Sequence, residues 1–328
     1  PLEEMIVKRS LSDSALTLVS ELVDETPGVY LASRAQRRYP HGKTASHLLG
    51  YVGAISQEKL RDLRDQGYTG RDFVGKTGLE AYYDKQLRGQ RGVRHRWVDA
   101  SGRTLKTEVI EPPHPGQDVY LNIDLELQKL TEKTISEALA TLKRKNGEPS
   151  GAAAVVYDVR NGQILPLASL PNFDPRPFAR GIKTKEYRAL LNDKSTPLVN
   201  RATHASFSPG STFKIVTGMA ALDLGICSPN SYFTCGGSYK GANCFVRSGH
   251  GGISFRDSIA HSCDVVFYSL GDKMGITNLA RYSRGAGLGS VTGIDLPGED
   301  PGLIPDPAWK EEVWGEPWYG GDTINSSI

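Results

Sequence analysis

The sequence is poor in cysteine, has no long apolar run and shows no excess of one charge. Four cysteines in 328 residues are too few for a disulfide scaffold. Apolar runs such as Gly151 to Val156 are far shorter than the roughly 18 residues of a membrane span. Lys and Arg number 39 against 37 Asp and Glu, so the net charge is only +2, and no basic block predicts a nucleic-acid partner.

The length fits about two domains on a prior of roughly 150 residues each, and 38% hydrophobic residues suffice for packed cores. A Pro/Gly-rich run at 112–116 is the best boundary. Residues 1–115 alternate short elements with turns, including strand-like runs at 93–99 and 104–110, and predict an α+β scaffold domain. Residues 116–328 form the second predicted domain.

The second domain opens with a pattern typical of a sheet covered by helices. Asp124 is a natural N-cap for a helix whose apolar residues are predicted to share one face. These residues are Leu127, Leu130, Ile135, Leu139 and Leu142. A buried strand is predicted over 152–159, followed by a turn at Asn161-Gly162 and a return strand over 163–169.

A Ser-x-x-Lys tetrad, Ser211 to Lys214, is the sharpest chemical feature. Pro209-Gly210 opens a helix there, and residues three apart on a helix share a face. The Lys214 amine is therefore expected to reach the Ser211 hydroxyl. A lysine works as a general base only where burial favours its neutral form, and apolar neighbours predict such burial. These neighbours are Phe213, Ile215 and Val216.

A second polar group, Ser262-Cys263-Asp264, interrupts a helical zone over 255–270. A hydroxyl opposite Lys214 could relay the proton of Ser211 to a leaving amine, and Asp264 could fix the substrate. Taken alone, the same residues are an ordinary helix N-cap. The Ser-x-x-Lys tetrad is what favours the catalytic interpretation.

These motifs resemble those of class B penicillin-binding proteins, the monofunctional peptidoglycan transpeptidases. The resemblance covers both predicted domains, and the acidic third residue of the second motif is most similar to the penicillin-binding protein 2 subfamily. The matching stretches are Arg38 to Pro40, His47 to Gly53, Gly78 to Glu80, Val98 to Ala100, Leu121 to Gln128, Leu198 to Lys214 and Trp318 to Asp322.

The resemblance implies a scaffold, or pedestal, domain followed by an α/β transpeptidase domain like that of serine β-lactamases. It also implies that Ser211 attacks D-Ala-D-Ala in a stem peptide, with Lys214 as base and Ser262 as proton relay, and that β-lactams acylate the same serine. Implied partners are peptidoglycan stem peptides and a membrane glycan polymerase. The implied location is the extracytoplasmic face of the inner membrane, with an N-terminal anchor helix outside this sequence.

The family also has a third motif, Lys-Ser/Thr-Gly, that contributes to the oxyanion hole. Lys76-Thr77-Gly78 matches its letters but precedes the nucleophile, so we interpret it as non-catalytic. The third motif is expected beyond Ile328, which makes the transpeptidase domain of this chain incomplete by prediction. A chain that ended there would acylate poorly.

Two other functions stay open from the sequence. A β-lactamase or penicillin sensor shares the motifs but has no need of the front 115 residues. A non-catalytic scaffold that activates a glycan polymerase would use the front domain alone, with a vestigial serine site.

The cysteines all lie between residues 227 and 263. Cys235, Cys244, His250 and Cys263 offer three thiolates and one imidazole, a common tetrahedral zinc set, although the spacing lacks a close Cys pair. We favour a structural zinc ion, while the chemistry itself needs no cofactor. A Cys235–Cys244 disulfide and free buried thiols are the alternatives. Cys227 is expected to lie in the core.

Overall fold

The computed structural model describes residues 7–8, 11–23, 25–26, 28–32, 35–100, 103–146 and 150–328. It divides into two compact units. Unit 1 holds the described residues up to Ala205 together with Asp295–Gly298, and unit 2 holds Ser206–Ile294 and Glu299–Ile328. None of the helices within these ranges is both long and apolar enough to cross a bilayer.

The described residues of unit 1 form short helices, one long helix and three antiparallel strand pairs, β1 with β2, β3 with β4 and β5 with β6. Its elements in chain order are α1 (Asp13–Val23), α2 (Ser46–Leu49), β1 (Val52–Ala54), α3 (Gln57–Leu63), β2 (Phe73–Gly75), α4 (Gly78–Tyr82), α5 (Asp84–Leu87), β3 (Val93–Val98), β4 (Thr104–Glu111), α6 (Leu125–Asn146), β5 (Ala152–Tyr157), β6 (Ile164–Leu170), α7 (Arg176–Ala179) and α8 (Thr184–Leu191).

Unit 2 is dominated by helices and two small antiparallel strand pairs, β7 with β10 and β8 with β9. A 3₁₀ turn over Gly210–Phe213 leads into the first of these helices. The elements are α9 (Lys214–Asp223), β7 (Tyr232–Cys235), β8 (Ser238–Tyr239), β9 (Ala242–Asn243), β10 (Gly251–Ser254), α10 (Phe255–Ala260), α11 (Asp264–Gly285), α12 (Pro307–Trp314) and α13 (Gly320–Asn325).

Helix α6 packs against the β5–β6 hairpin, which confirms the predicted order of helix and hairpin. The Asp124 side chain accepts a hydrogen bond from the backbone N–H of Leu127, as expected of an N-cap. Burial differs from the expectation. The return strand β6 is the buried one, whereas β5 is exposed along much of its length, and Leu130 and Leu142 of α6 face solvent. Apolar side chains alone therefore did not identify the inner strand.

The core of unit 2 forms where α9 packs against α11. Ala220 of α9 and Phe267 and Leu270 of α11 are fully buried there, and the small alanine lets the two helices approach closely. The helical zone predicted over 255–270 is in fact two helices, α10 and α11, separated at residues 261–263. Gly275 interrupts α11 with a φ of 73°, so the polypeptide continues as a second helical segment beyond a kink.

Two loops of unit 1 pass each other with almost no space between their backbones at Gly50. This glycine has a φ of 76°, and a Cβ added there would lie 1.8 Å from the carbonyl oxygen of Thr77. Gly162, in the β5–β6 turn, has the same φ of 76° with no atom within 4 Å of an added Cβ. Gly162 therefore serves as a control position with a positive φ and no backbone clash.

We predict that Gly50→Ala destabilises the protein much more than Gly162→Ala. A positive φ alone disfavours any residue with a Cβ, by of order 1–3 kcal/mol, and at Gly50 the ψ of −157° places the backbone in a region that is essentially restricted to glycine. The clash at residue 50 adds about 1–3 kcal/mol or more. Urea unfolding followed by circular dichroism measures both changes, and equal losses for the two variants would show that the backbone approach at Gly50 relaxes freely.

Candidate active site

Ser211 and Lys214 lie on consecutive turns at the start of α9, with very different exposure. Ser211 belongs to the 3₁₀ turn and is exposed, whereas Lys214 is the first residue of α9 and is only 3% exposed. The expectation of an α-helical first turn at Ser211 was wrong in this detail. Lys214 is buried as predicted, but not by all of the apolar neighbours named for it. Val216 is buried, whereas Ile215 is 63% exposed.

The Lys214 ammonium donates three hydrogen bonds, one for each of its N–H groups. Its Nζ lies 2.7 Å from the carbonyl oxygen and 3.0 Å from Oγ of Ser262. It also lies 2.6 Å from Oδ1 of Asp264. The ring of Phe267 lies beneath it, with its centroid 5.5 Å away. Every donor of a buried cation is thus satisfied, as a charge removed from water requires.

Ser262 reaches Lys214 through both its backbone and its side chain because its backbone is left-handed. Its φ is 51°, a conformation that costs a non-glycine residue of order 1–3 kcal/mol and is held only where surrounding contacts impose it. The backbone N–H of Cys263 donates to the carbonyl oxygen of Ser258 at 2.8 Å, which fixes the chain just after the strained residue. The serine hydroxyl predicted as a proton relay therefore lies beside the predicted base.

Asp264, the first residue of α11, is held from two sides. Its Oδ1 accepts from Lys214, and its Oδ2 accepts from the backbone N–H of Phe245 at 2.9 Å. The carboxylate expected to fix the substrate is thus engaged by the lysine and by a loop amide. The role of the Phe245 N–H could not be predicted from the sequence, because every residue type except proline offers the same backbone donor. The position of Phe245 directly after Cys244 was the sequence feature that could have pointed to it.

Cys235, Cys244, His250 and Cys263 converge, with their four ligand atoms all within 4.8 Å of one another. Cys235 ends β7 and pairs with Gly251 of β10, which brings it beside His250. The loop between these strands turns back tightly: Gly237 has a φ of 92°, and a Cβ there would lie 2.1 Å from the carbonyl oxygen of Arg247. Cys263 joins the group from the start of α11.

The donor set fits a tetrahedral zinc ion. All four cysteines are free and buried, and His250 is half-buried. Nδ1 of His250 lies 3.6 Å from Sγ of Cys244, close to the roughly 3.5 Å that separates sulfur and nitrogen ligands on one zinc ion. Cys227, also buried, lies outside the group, as expected.

The thiols of this cluster differ in their acidity. Burial raises the pKa of Cys263 to about 12, and the neighbouring thiols of Cys235 and Cys244 act in the same direction. Burial also acts upward on Cys235, but hydrogen bonds from the backbone and ring of His250 and from the backbone of Gly237 outweigh it and lower the pKa to about 7. The lowered pKa of Cys235 favours its thiolate, the form of cysteine that binds a cation.

The predicted contact between the Lys214 amine and the Ser211 hydroxyl is not formed in this structure. Within the described residues, the Ser211 side chain makes no hydrogen bond with Lys214, whose donors are all engaged elsewhere. Catalytic hydrogen bonds often shorten only when substrate binds.

The segment Lys76-Thr77-Gly78, which matches the third family motif in sequence, lies in unit 1. Gly78 packs there against the backbone of Gly50, so this segment has a local packing role.

Comparison with known proteins decides the family. The penicillin-binding protein dimerisation domain matches residues 1–121. The penicillin-binding protein transpeptidase domain matches residues 152–328. This chain belongs to the penicillin-binding protein transpeptidase family. The resemblance predicted from the motifs is confirmed, as is the two-domain architecture of pedestal and transpeptidase.

Relatives of this penicillin-binding protein include proteins named as peptidoglycan D,D-transpeptidases. Peptidoglycan D,D-transpeptidase MrdA of Escherichia coli strain K12 is 37% identical over 312 residues, covering 92% of this chain and 47% of that protein. A solved structure titled "Structural coordination of polymerization and crosslinking by a peptidoglycan synthase complex" aligns with a TM-score of 0.80 at 37% identity, over 97% of this chain and 56% of the other.

A complex of penicillin-binding protein 2 with MreC from Helicobacter pylori aligns with a TM-score of 0.78 at 32% identity, over 95% of this chain and 56% of the other. The chain spans about half the length of the curated relatives that it matches.

We predict that removing one partner of the buried ion pair lowers the free energy of unfolding strongly, whereas removing both partners lowers it much less. Lys214→Met leaves the Asp264 carboxylate buried without its counter-ion, which costs about 3–5 kcal/mol. Adding Asp264→Asn removes that charge and keeps an oxygen for the Phe245 N–H, so the double variant recovers most of the loss. Urea unfolding of the single and double variants measures this, and additive losses would contradict a coupled pair.

Proposed function

We propose that this protein is a serine-type peptidoglycan D,D-transpeptidase that cross-links stem peptides during cell-wall elongation. The observation that carries the proposal is the buried Lys214 with its three hydrogen bonds to Ser262 and Asp264, one turn from the exposed Ser211. It is supported by a relative named as a D,D-transpeptidase that is 37% identical.

In the proposed reaction, Ser211 Oγ attacks the carbonyl carbon between the two D-alanines of a stem peptide. Lys214 acts as the base from its deprotonated form: its neutral amine takes the hydroxyl proton and becomes the ammonium of the ion pair with Asp264. The C–N bond breaks as Ser262 relays this proton to the leaving amine. An amine of a neighbouring peptide then attacks the acyl-serine ester, and the proton that this amine loses passes through Lys214 to Ser211 Oγ as the ester C–O bond breaks. The three acceptors around Lys214 match the ammonium that forms in the first step.

β-Lactams are proposed to acylate Ser211 by the same attack, because their ring amide takes the place of the D-Ala-D-Ala bond. The proposed partners are a membrane glycan polymerase and other elongation proteins at the extracytoplasmic face of the inner membrane. The solved relatives support this: one title describes a synthase complex that couples polymerisation and cross-linking, and another describes a complex with MreC. The net charge of only +2 gives no reason to propose a nucleic-acid partner.

We predict that a fluorescent penicillin labels the whole protein covalently at Ser211. Ser211→Ala abolishes the label, whereas Ser208→Ala, a change at an exposed serine of the same loop, leaves it intact. Gel fluorescence and peptide mapping provide the measurement. Absence of any label would overturn the enzyme function and favour a non-catalytic activator of a polymerase, while rapid loss of the label through hydrolysis would indicate a β-lactamase.

We further propose that Cys235, Cys244, His250 and Cys263 hold a structural zinc ion. The convergence of the four ligand atoms within 4.8 Å supports it, as does the burial of the three cysteines. The ion would tie the β7–β10 hairpin to the start of α11 and supply binding energy to the fold. It would take no part in the acyl transfer.

Metal analysis of protein purified without chelator is expected to give about one zinc per chain. Cys244→Ser should lower both the zinc content and the melting temperature. Cys227→Ser is the matched control, since this buried cysteine lies outside the cluster, and it should retain the metal. Zinc below about a tenth of an equivalent, with a Cys235–Cys244 disulfide or free thiols found by mass spectrometry, would contradict the site.

A further inference from the structure

The backbone N–H of Phe245 links Cys244 of the cysteine cluster to the carboxylate that holds the predicted general base. It donates to Oδ2 of Asp264 at 2.9 Å, while Oδ1 of the same carboxylate accepts from Lys214 at 2.6 Å. Resting on the transpeptidase function proposed above, the geometry points to Phe245 as a positioning residue. Through its backbone N–H, it sets the orientation of the carboxylate that holds Lys214.

The two segments that meet at Asp264 are both fixed by the cluster. Cys263 immediately precedes Asp264, and Cys244 immediately precedes Phe245. Because the ligand atoms of these two cysteines lie within 4.8 Å of each other, the cluster sets the distance between the carboxylate and the amide that orients it. A change in the cluster would therefore reach Lys214 through the Phe245 hydrogen bond as well as through Ser262 and Asp264, the chain neighbours of Cys263.

A carboxylate held by only one partner can rotate about its Cβ–Cγ bond. With Lys214 as the sole partner, the carboxylate and the ammonium would move together, and the direction of the lysine toward Ser211 would be poorly defined. The second hydrogen bond, from a backbone amide, removes this freedom at little entropic cost because the amide is already ordered by its loop. Small errors in the orientation of a catalytic group slow reactions substantially.

The loop that carries Phe245 has other anchors, so the N–H can be removed without releasing it. The Cys244 N–H donates to the carbonyl oxygen of Gly237 at 2.9 Å. Tyr239 and Lys240 both donate to Asp272 of α11, at 2.8 and 2.7 Å. The Phe245 side chain is exposed and meets the ring of His250 edge-on, with centroids 5.5 Å apart.

The test replaces the amide at residue 245 of the whole protein by an ester, through incorporation of phenyllactic acid. This deletes the N–H and keeps the aromatic ring. The matched control is the corresponding ester at Val246, whose N–H donates no hydrogen bond within the described part of the chain. Phe245→Pro is a second route to the same deletion.

Stopped-flow acylation by a fluorescent penicillin separates the affinity of the non-covalent complex from the rate of the covalent step. The proposal expects the covalent step to slow by about tenfold to a hundredfold in the 245 ester, the value of one hydrogen bond to a charged group. Affinity and zinc content should stay at the wild-type values, the melting temperature should fall only by the few degrees that one lost hydrogen bond to a buried carboxylate causes, and the 246 ester should react normally.

An unchanged covalent step would overturn the proposal. So would a slow step accompanied by loss of zinc or by unfolding at the assay temperature, because the N–H would then serve the fold alone. A wild-type protein that takes no label at all would instead refute the transpeptidase function, so the two failures are distinguishable.

Removing zinc with a chelator extends the test to the link between cluster and base. Chelation should slow the covalent step in the wild-type protein, and the loss should be smaller in the 245 ester, because both changes release the same carboxylate. Fully additive losses would show that the cluster affects the site by another route and would overturn the coupling.

Discussion

A single buried ion pair, Lys214 with Asp264, organises unit 2. Each charge is removed from water, and each is acceptable only because the other lies 2.6 Å away with further hydrogen bonds around it. The pair joins α9 to α11 at the point where both helices begin. The helix packing beneath it, the left-handed Ser262 and the loop amide of Phe245 are all arranged around this pair.

The three hydrogen-bond acceptors around Lys214 serve both the stability of the fold and the proposed acylation. An ammonium with three fixed acceptors is the product of the first proton transfer in the proposed reaction, so the groups that stabilise the fold also favour the acylation step. Electrostatic preorganisation of this kind requires rigid surroundings. Here they come from the core between the helices, where Phe267 and Leu270 are fully buried, and from the three cysteines of the cluster, which are part of the same core.

Much of this site could be predicted from the sequence, because its chemistry depends on residue type. Lys214 and Ser262 have a spacing and context that resemble a known family, and four potential ligands at 235–263 indicated a metal site. The geometry could not be predicted in the same way. The exposure of β5 and the 3₁₀ turn at Ser211 depend on tertiary packing, which leaves no local pattern in the residues themselves.

Backbone conformation at Ser262 also narrows which amino acids can occupy this position. A φ of 51° is tolerated by glycine and, at moderate cost, by small unbranched residues, whereas a branched Cβ is strongly disfavoured. Threonine would keep the hydroxyl but add a methyl group at the carbon that this conformation crowds. Residue 262 must therefore supply a hydroxyl to Lys214 and have a side chain that is not branched at Cβ. Serine is the amino acid that meets both requirements.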